Sequence, residues 1–126
     1  MSTHCFIAFE HEDGQFSVRY CGFDGYPQHT GKVLLNYYNR VQMEALMECG
    51  MDLESINEEG KPEFYEKEDL MRPERMSPDE FRLFVSKGSS FARYVYVVLK
   101  TGKWQVCDAG EHHLGFRPIA DAILVN

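Results

Sequence analysis

A thiol, a carboxylate and an imidazole lie close together in the stretch 21–31, CGFDGYPQHTG. Cys21, Asp24 and His29 could form a nucleophilic site, because a nearby base can deprotonate a thiol and a helix N-terminus can lower its pKa. Such sites are assembled in space, however, and the stretch carries no glycine elbow or related signature. The alternative is a turn in which Cys21 packs at the end of a strand, so we predict no catalytic residue here.

Metal ligation is a second chemistry that the residue types allow. The candidate ligands are Cys107, His112 and His113, together with Cys5, Cys21 or His29. Adjacent histidines point in different directions, and neither Cys-x-x-Cys nor His-x-x-x-His spacing occurs. We therefore predict no metal and no cofactor. The four widely spaced cysteines are expected to be free thiols that act as small apolar residues.

A recognition surface is the third use of this stretch, and the one we favour. Aromatic side chains on a rigid turn make good anchors in protein interfaces. The predicted contact set joins the turn to an acidic segment and comprises Phe23, Asp24, Gly25, Tyr26, Pro27, His29, Glu58, Glu59, Glu66 and Glu68. An alternative is a nucleotide-type ligand binder or small hydrolase at Asp24, Tyr26 and His29, since the helix that begins at Pro27 offers free N–H groups.

The charge of the chain is concentrated in its middle. The net charge is −7, and residues 44–80 hold thirteen acidic against four basic residues. Direct binding to a phosphate backbone needs clustered Lys and Arg, so nucleic-acid binding is disfavoured. An acidic segment suits a basic partner, and the simpler alternative is a solvated face.

Alternating apolar residues predict a β-hairpin near each end of the chain. The run 5–10 and the alternation Phe16, Val18, Tyr20 flank an Asp-Gly turn at 13–14. The runs 92–99 and 104–107 flank a Lys-Thr-Gly-Lys turn in the same way. Two antiparallel hairpins are therefore expected, and either outer edge could pair with a second copy in a homodimer.

Three helices are predicted between the hairpins. The first begins at Pro27 and turns an apolar face inward, formed by Val33, Leu34, Tyr37, Tyr38 and Val41. Asn39 is expected to cap a second helix over 40–49, with Val41, Met43, Leu46 and Met47 inward. Ser77-Pro78-Asp79-Glu80 predicts the start of a third, which buries Phe81, Phe84 and Val85.

The segment 51–76 has few periodic apolar residues and predicts a long acidic loop, either mobile or functional. With 126 residues the chain is expected to form a single domain over 1–126. The fold class is α+β: an antiparallel sheet built from the N- and C-terminal hairpins, with about three helices packed on one face.

Several motifs resemble a group of small, largely uncharacterised bacteriophage and prophage proteins. They are DGYP after a strand, GKVLLNYYN, ALMECGMDLESI and the closing RYVYVVLKTGKW. The positions that match the group's pattern are Cys21, Asp24, Gly25, Tyr26, Pro27, Gly31, Leu34, Leu35, Tyr38, Gly50, Leu53 and Ser55. The chain departs from it at Gly22-Phe23, where the pattern has His-Trp.

That resemblance implies a viral accessory role more than a reaction. Our hypothesis is a non-catalytic, phage-derived accessory protein in the host cytoplasm. It would bind a host macromolecule, with a host protein as the expected partner, and alter host function or defence. No apolar run reaches the length of a membrane helix, and no signal peptide is evident. The sequence therefore predicts a cytosolic protein without a membrane partner.

Overall fold

The computed structural model describes residues 3–49, 53–65, 75–87, 92–109 and 115–124. Its strands are β1 (Cys5–Glu10), β2 (Phe16–Cys21), β3 (Leu53–Ile56), β4 (Pro62–Phe64), β5 (Arg75–Met76), β6 (Tyr94–Val98), β7 (Trp104–Asp108) and β8 (Arg117–Pro118). Its α-helices are α1 (Lys32–Tyr37), α2 (Arg40–Glu48), α3 (Pro78–Lys87) and α4 (Ile119–Leu124), with a π-helical turn over Pro27–Gly31 before α1. The fold is α+β, as predicted.

One mixed, mostly antiparallel sheet holds all eight strands, in the order β4-β3-β2-β1-β6-β7-β8, with β5 also paired to β2. Strands β1 and β2 form one hairpin, with Cys5 opposite Cys21, and β6 and β7 form the other. The hairpins join where β1 runs parallel to β6. Because β2 also meets β3 and β5, and β7 meets β8, the hairpin edges expected to be open are partly covered.

The helices lie on both faces of the sheet. Along β6, Tyr94, Tyr96 and Val98 turn to one core, and Val95 and Val97 turn to the other, because side chains alternate across a strand. The first core also receives α1, α2 and α4, whereas the second receives α3. The prediction that the helices pack on one face is therefore wrong for α3.

Residues 53–64 form a β-hairpin where the sequence predicted a loop. Leu53 and Ile56 are fully buried, while Glu54 and Ser55 between them are half-buried. A register shift between Leu53 and Ser55 breaks the alternation that identifies a strand in a sequence. Residues 53–56 form strand β3 because β2 and β4 lie on either side of it and supply its hydrogen-bonding partners. Strand β2 is far from β3 in sequence, and β4 has an equally irregular pattern, so neither partner is evident from the sequence. Residues 66–74 lie outside the described ranges.

The predicted helix starts at Asn39 and Ser77 are present as capping boxes. Asn39 Oδ1 accepts hydrogen bonds from Val41 N and Gln42 N, and Gln42 Oε1 accepts from Asn39 N. At α3, Ser77 Oγ accepts from Glu80 N, and Glu80 Oε1 accepts from Ser77 N. These contacts are local, which is why the sequence predicts them.

The inward face of α1 differs from the prediction. Val33 and Leu34 are buried, but Tyr37 is 49% exposed, and Val41 on α2 is 74% exposed. The π-helical turn before α1 is wider than an α-helical turn, so the face expected from 3.6-residue spacing is displaced. Gly31 ends that turn, and a Cβ there would lie 3.0 Å from Ile119 Cγ2, so the turn packs closely on α4 at this residue.

Candidate interaction surface

The turn after β2 is fixed to the sheet by its own backbone. Gly22 N donates to Leu53 O and Phe23 N donates to Glu54 O, which extends the parallel contact between β2 and β3. Gly25 N donates to Thr3 O at 2.8 Å. The turn therefore has partners on both sides along its length, and its shape is set before any ligand binds.

Two buried hydroxyl groups donate hydrogen bonds to backbone carbonyls of the turn. Thr30 Oγ1 donates to Asp24 O at 2.6 Å, and Tyr96 Oη donates to Gly25 O at 2.6 Å. Asp24 adopts a left-handed backbone with φ of 57°, which aspartate tolerates better than most residues. Gly25 is buried, and a side chain there would collide with Cys5. Asp24, Gly25 and Pro27 thus shape the turn, and Gly25 and Pro27, predicted as contact residues, are buried.

Phe23 and Tyr26 project from this fixed turn. Phe23 is 41% exposed and Tyr26 is 39% exposed. The Tyr26 ring lies 6.1 Å from the His29 ring, centroid to centroid. The sequence predicted these two aromatics as contact residues, and their exposure agrees with that use, which itself stays a prediction.

His29 ties the turn to β3 and does not act on Cys21. Its Nε2 lies 2.8 Å from Ile56 O, and a carbonyl oxygen can only accept, so Nε2 carries the proton. Cys21 is fully buried, and its Sγ lies 3.7 Å from Phe23 O as a donor. Interaction with the neighbouring Cys5 thiol lowers the pKa of Cys21, while burial raises the pKa of Cys5 well above its usual value. No hydrogen bond joins Cys21, Asp24 and His29 side chains within the described residues.

The tip of the β3–β4 hairpin lies beside the same turn. Asn57 Oδ1 accepts from Glu59 N and Lys61 N, and Gly60 N donates to Asn57 O, so the tip is a closed loop of hydrogen bonds. Tyr38 Oη donates to Gly60 O at 2.9 Å. Tyr37 packs so tightly on Gly60 that a Cβ at that glycine would lie 2.6 Å from Tyr37 Cγ. The tip is thereby held against α1.

Turn and hairpin together form one surface, which we call the turn–hairpin surface and define as Phe23, Tyr26, His29, Tyr37 and Glu58. His29, Tyr37 and Glu58 line a common cleft of about 370 Å³ together with Gln28, Lys32, Val33 and Asn36. The predicted contacts His29 and Glu58, distant in sequence, are thus brought together. Tyr37 was missed because its spacing is that of a core residue. Glu66 and Glu68 lie outside the described residues.

The charge around this surface is predominantly negative. The turn, β3, β4 and the hairpin tip carry the carboxylates Asp24, Glu54, Glu58, Glu59 and Glu63, against Lys32 and Lys61. Lys61 Nζ lies 4.0 Å from Glu59 Oε2, and both side chains are more than three-quarters exposed. Such an exposed pair holds its charges in water, where they remain available to a partner.

A second polar cluster lies at the other end of the β1–β2 hairpin and escaped sequence analysis. His11 Nε2 lies 2.6 Å from Ser17 Oγ, and Arg75 Nη2 lies 3.3 Å from His11 Nδ1. Since a guanidinium can only donate, Nδ1 accepts, and Nε2–H donates to Ser17. His11 is therefore oriented as a donor to the serine and not as its base. Arg75 reaches this place through the pairing of β5 with β2.

We expect His11 to titrate below its ordinary value of 6.5, because burial and then the Arg75 charge lower its pKa. A proton on Nδ1 would face the guanidinium. Asp13 and Glu44 oppose the shift, and Arg40 adds to it. The unfolded chain then binds this proton at higher pH than the folded chain, so the stability contributed by His11 is complete above pH 6.5 and is lost as pH falls below it.

Arg75→Gln should raise the pKa of His11 toward its ordinary value, as followed by NMR titration of the imidazole carbon-bound protons. Arg93→Gln is the matched control, since Arg93 pairs with Asp108 and is absent from the charges acting on His11. Equal titration of His11 in the wild type and the Arg75→Gln variant would contradict the Arg75 contact.

Comparison with protein-family models, with curated proteins and with solved structures gives no match to this chain. Within the described ranges, no helix has the length and apolar character needed to cross a membrane. No group of three or more His, Cys, Asp or Glu side chains in that same part of the chain is placed to hold a metal ion. His112 and His113, two of the candidate ligands, lie outside it.

Proposed function

We propose that this chain is a non-catalytic binding protein whose turn–hairpin surface engages a partner protein with a basic face. The observation that carries the proposal is the pair of exposed aromatics, Phe23 and Tyr26, on a turn whose backbone is held on both sides. Large rings supply most of the energy in many interfaces, and a turn that is already ordered loses little entropy on binding.

Acidic residues beside the aromatics give the proposed contact its selectivity. Glu58 and Glu59 stand on the closed hairpin tip, and Glu58 lines a cleft with Tyr37 and His29. The His29 ring in turn lies 6.1 Å from the Tyr26 ring. Charges at the rim of an interface chiefly steer the encounter and exclude partners of like sign. We therefore expect a partner that offers a pocket for an aromatic ring, surrounded by Lys or Arg.

The resemblance to phage and prophage proteins supplies the setting of this proposal. In that setting the partner is a host protein, and binding would alter host function or defence in the host cytoplasm. The hydrolase alternative places its chemistry at Asp24, Tyr26 and His29. Here His29 Nε2 donates to Ile56 O, so this nitrogen is not free to act as a base, and the geometry favours binding over catalysis.

The test is capture of a stoichiometric partner from bacterial host lysate, followed by affinity measurement with the purified partner. We expect Phe23→Ala/Tyr26→Ala to raise the Kd at least about thirtyfold, because one interface hot spot contributes about 2 kcal/mol. Affinity should also fall as salt increases, since salt screens the acidic rim.

Val41→Ala/Leu83→Ala is the matched control, because both residues are exposed apolar side chains on other elements, α2 and α3. It should bind as the wild type does. A partner that binds the Phe23/Tyr26 variant and the wild type equally, or the absence of any stoichiometric partner, would refute the proposal.

A further inference from the structure

A second groove lies between the α1–α2 connection and the turn that joins β6 to β7. Its volume is about 580 Å³, within the range of small-molecule sites. The residues that line it are Leu35, Asn36, Tyr37, Tyr38, Asn39, Gln42, Gly102, Lys103, Trp104, Gln105 and Pro118. None of the sequence motifs pointed to this groove, because its walls come from two distant parts of the chain.

Among the described residues that line the groove there is no carboxylate, although the chain has 20 acidic residues and a net charge of −7. The one charged residue among them is Lys103. The other polar side chains, apart from the two tyrosines and Trp104, are amides. A positive group and neutral amides in an acidic protein suit this groove to an anion.

Helix capping leaves two of these amides as donors. Asn39 Oδ1 accepts from the backbone N–H groups of Val41 and Gln42, and Gln42 Oε1 accepts from Asn39 N. A backbone N–H can only donate, so these contacts fix which amide atom is oxygen in each side chain. The NH2 groups of Asn39 and Gln42, which are both exposed, therefore remain available to donate to a ligand.

Aromatic residues give the groove a flat wall. The Tyr37 side chain is 49% exposed but is held in place by its packing on Gly60. Trp104 is nearly buried, and its Nε1 donates to Tyr38 O at 2.7 Å, which fixes the wall behind it. A planar ring that lies along Tyr37 would gain stacking contact at low cost, because the tyrosine is already ordered.

We propose that this groove binds a small organic anion that combines a planar ring with one phosphate or carboxylate group. The anionic group accepts hydrogen bonds from the NH2 groups of Asn39 and Gln42 and from the Lys103 ammonium. The ring lies against Tyr37. Charge-assisted hydrogen bonds of this kind are the stronger ones, so the anionic group dominates affinity.

The capping box of α2, formed by Asn39 and Gln42, allows a specific test of this proposal. Asn39→Asp/Gln42→Glu keeps both acceptor oxygens, and Asp and Glu are favoured at these helix positions, so α2 should fold as before. The same change replaces two donors by two negative oxygens in the groove. Gln15→Glu is the matched control. Gln15 lies in the β1–β2 turn, outside the groove, and its Oε1 accepts a hydrogen bond from Arg75.

Binding is followed by ¹H–¹⁵N NMR of the backbone and side-chain amides during titration with AMP, nicotinate and adenosine. The first two probes separate phosphate from carboxylate, and adenosine has the ring without the charge. We expect saturable shifts at Asn39, Gln42 and Gln105 with at least one anion at millimolar or lower concentration. Adenosine should bind at least about tenfold more weakly, as expected for loss of one charge-assisted hydrogen bond.

The Asn39→Asp/Gln42→Glu variant should lose at least about tenfold in affinity for that anion, with an unchanged melting temperature, while Gln15→Glu binds normally. Equal binding of adenosine and the anions, unaltered affinity in the double variant, or no saturable shift with either anion would overturn the proposal. These variants leave Phe23 and Tyr26 intact, so this inference and the proposed protein interaction fail independently.

Discussion

Gly25→Ala is expected to lower the free energy of unfolding by about 3 kcal/mol, the upper range for overpacking a closed site. A Cβ at this position would lie 2.8 Å from Cys5 Cβ, 2.9 Å from Thr3 O and 3.0 Å from Cys5 N. None of these atoms is the free end of a flexible side chain, so β1 or the turn must move. Movement of the turn would also strain the hydrogen bond from Tyr96 Oη to Gly25 O.

Urea unfolding of Gly25→Ala and Gly102→Ala, side by side, measures this effect. Gly102 has φ of 90° and open space where a Cβ would lie, so its substitution should cost only the backbone strain of about 1–2 kcal/mol. If Gly25→Ala is no less stable than Gly102→Ala, the turn is not clamped against β1 as described. Its rigidity would then no longer support the proposed interaction.

Arg19→Met should also destabilise the fold, by about 3 kcal/mol. Arg19 is only 2% exposed, and its Nη2 donates to Met47 O and Cys49 O at the C-terminal end of α2. The last carbonyls of a helix have no partner within it, and here a strand residue provides one. Methionine matches the length of the side chain and removes the cost of burying a charge, but it leaves both carbonyls without this donor.

The two effects of Arg19→Met have opposite signs. Loss of the donor to the carbonyls of Met47, which is buried, and Cys49, which is half-buried, should dominate, since each unsatisfied buried group costs about 1–3 kcal/mol. Arg82→Met is the control: Arg82 pairs with Asp79 on the surface, with both side chains at least 76% exposed, and its loss should cost about 1 kcal/mol or less. Faster hydrogen exchange confined to α2 would accompany the loss. Equal stability of the two variants would contradict the role assigned to Arg19.

Local chemistry accounts for what the sequence determined by itself. The capping boxes at Asn39 and Ser77 require only residues within one helical turn, and the β1–β2 and β6–β7 hairpins require only alternation and a turn between neighbours. These features depend on short sequence separations, which a single chain displays directly.

Tertiary structure decided what depends on distant partners. Leu53 is in a strand because β2 lies beside it, and α3 covers the second face because Ala8, Val95 and Val97 leave that face apolar. The π-helical turn set which side of α1 faces solvent. It thereby placed Tyr37 beside Glu58 and in the lining of the groove between the α1–α2 connection and the β6–β7 turn. Such placements arise from hydrogen bonds and packing between segments many residues apart, which periodicity along one segment does not encode.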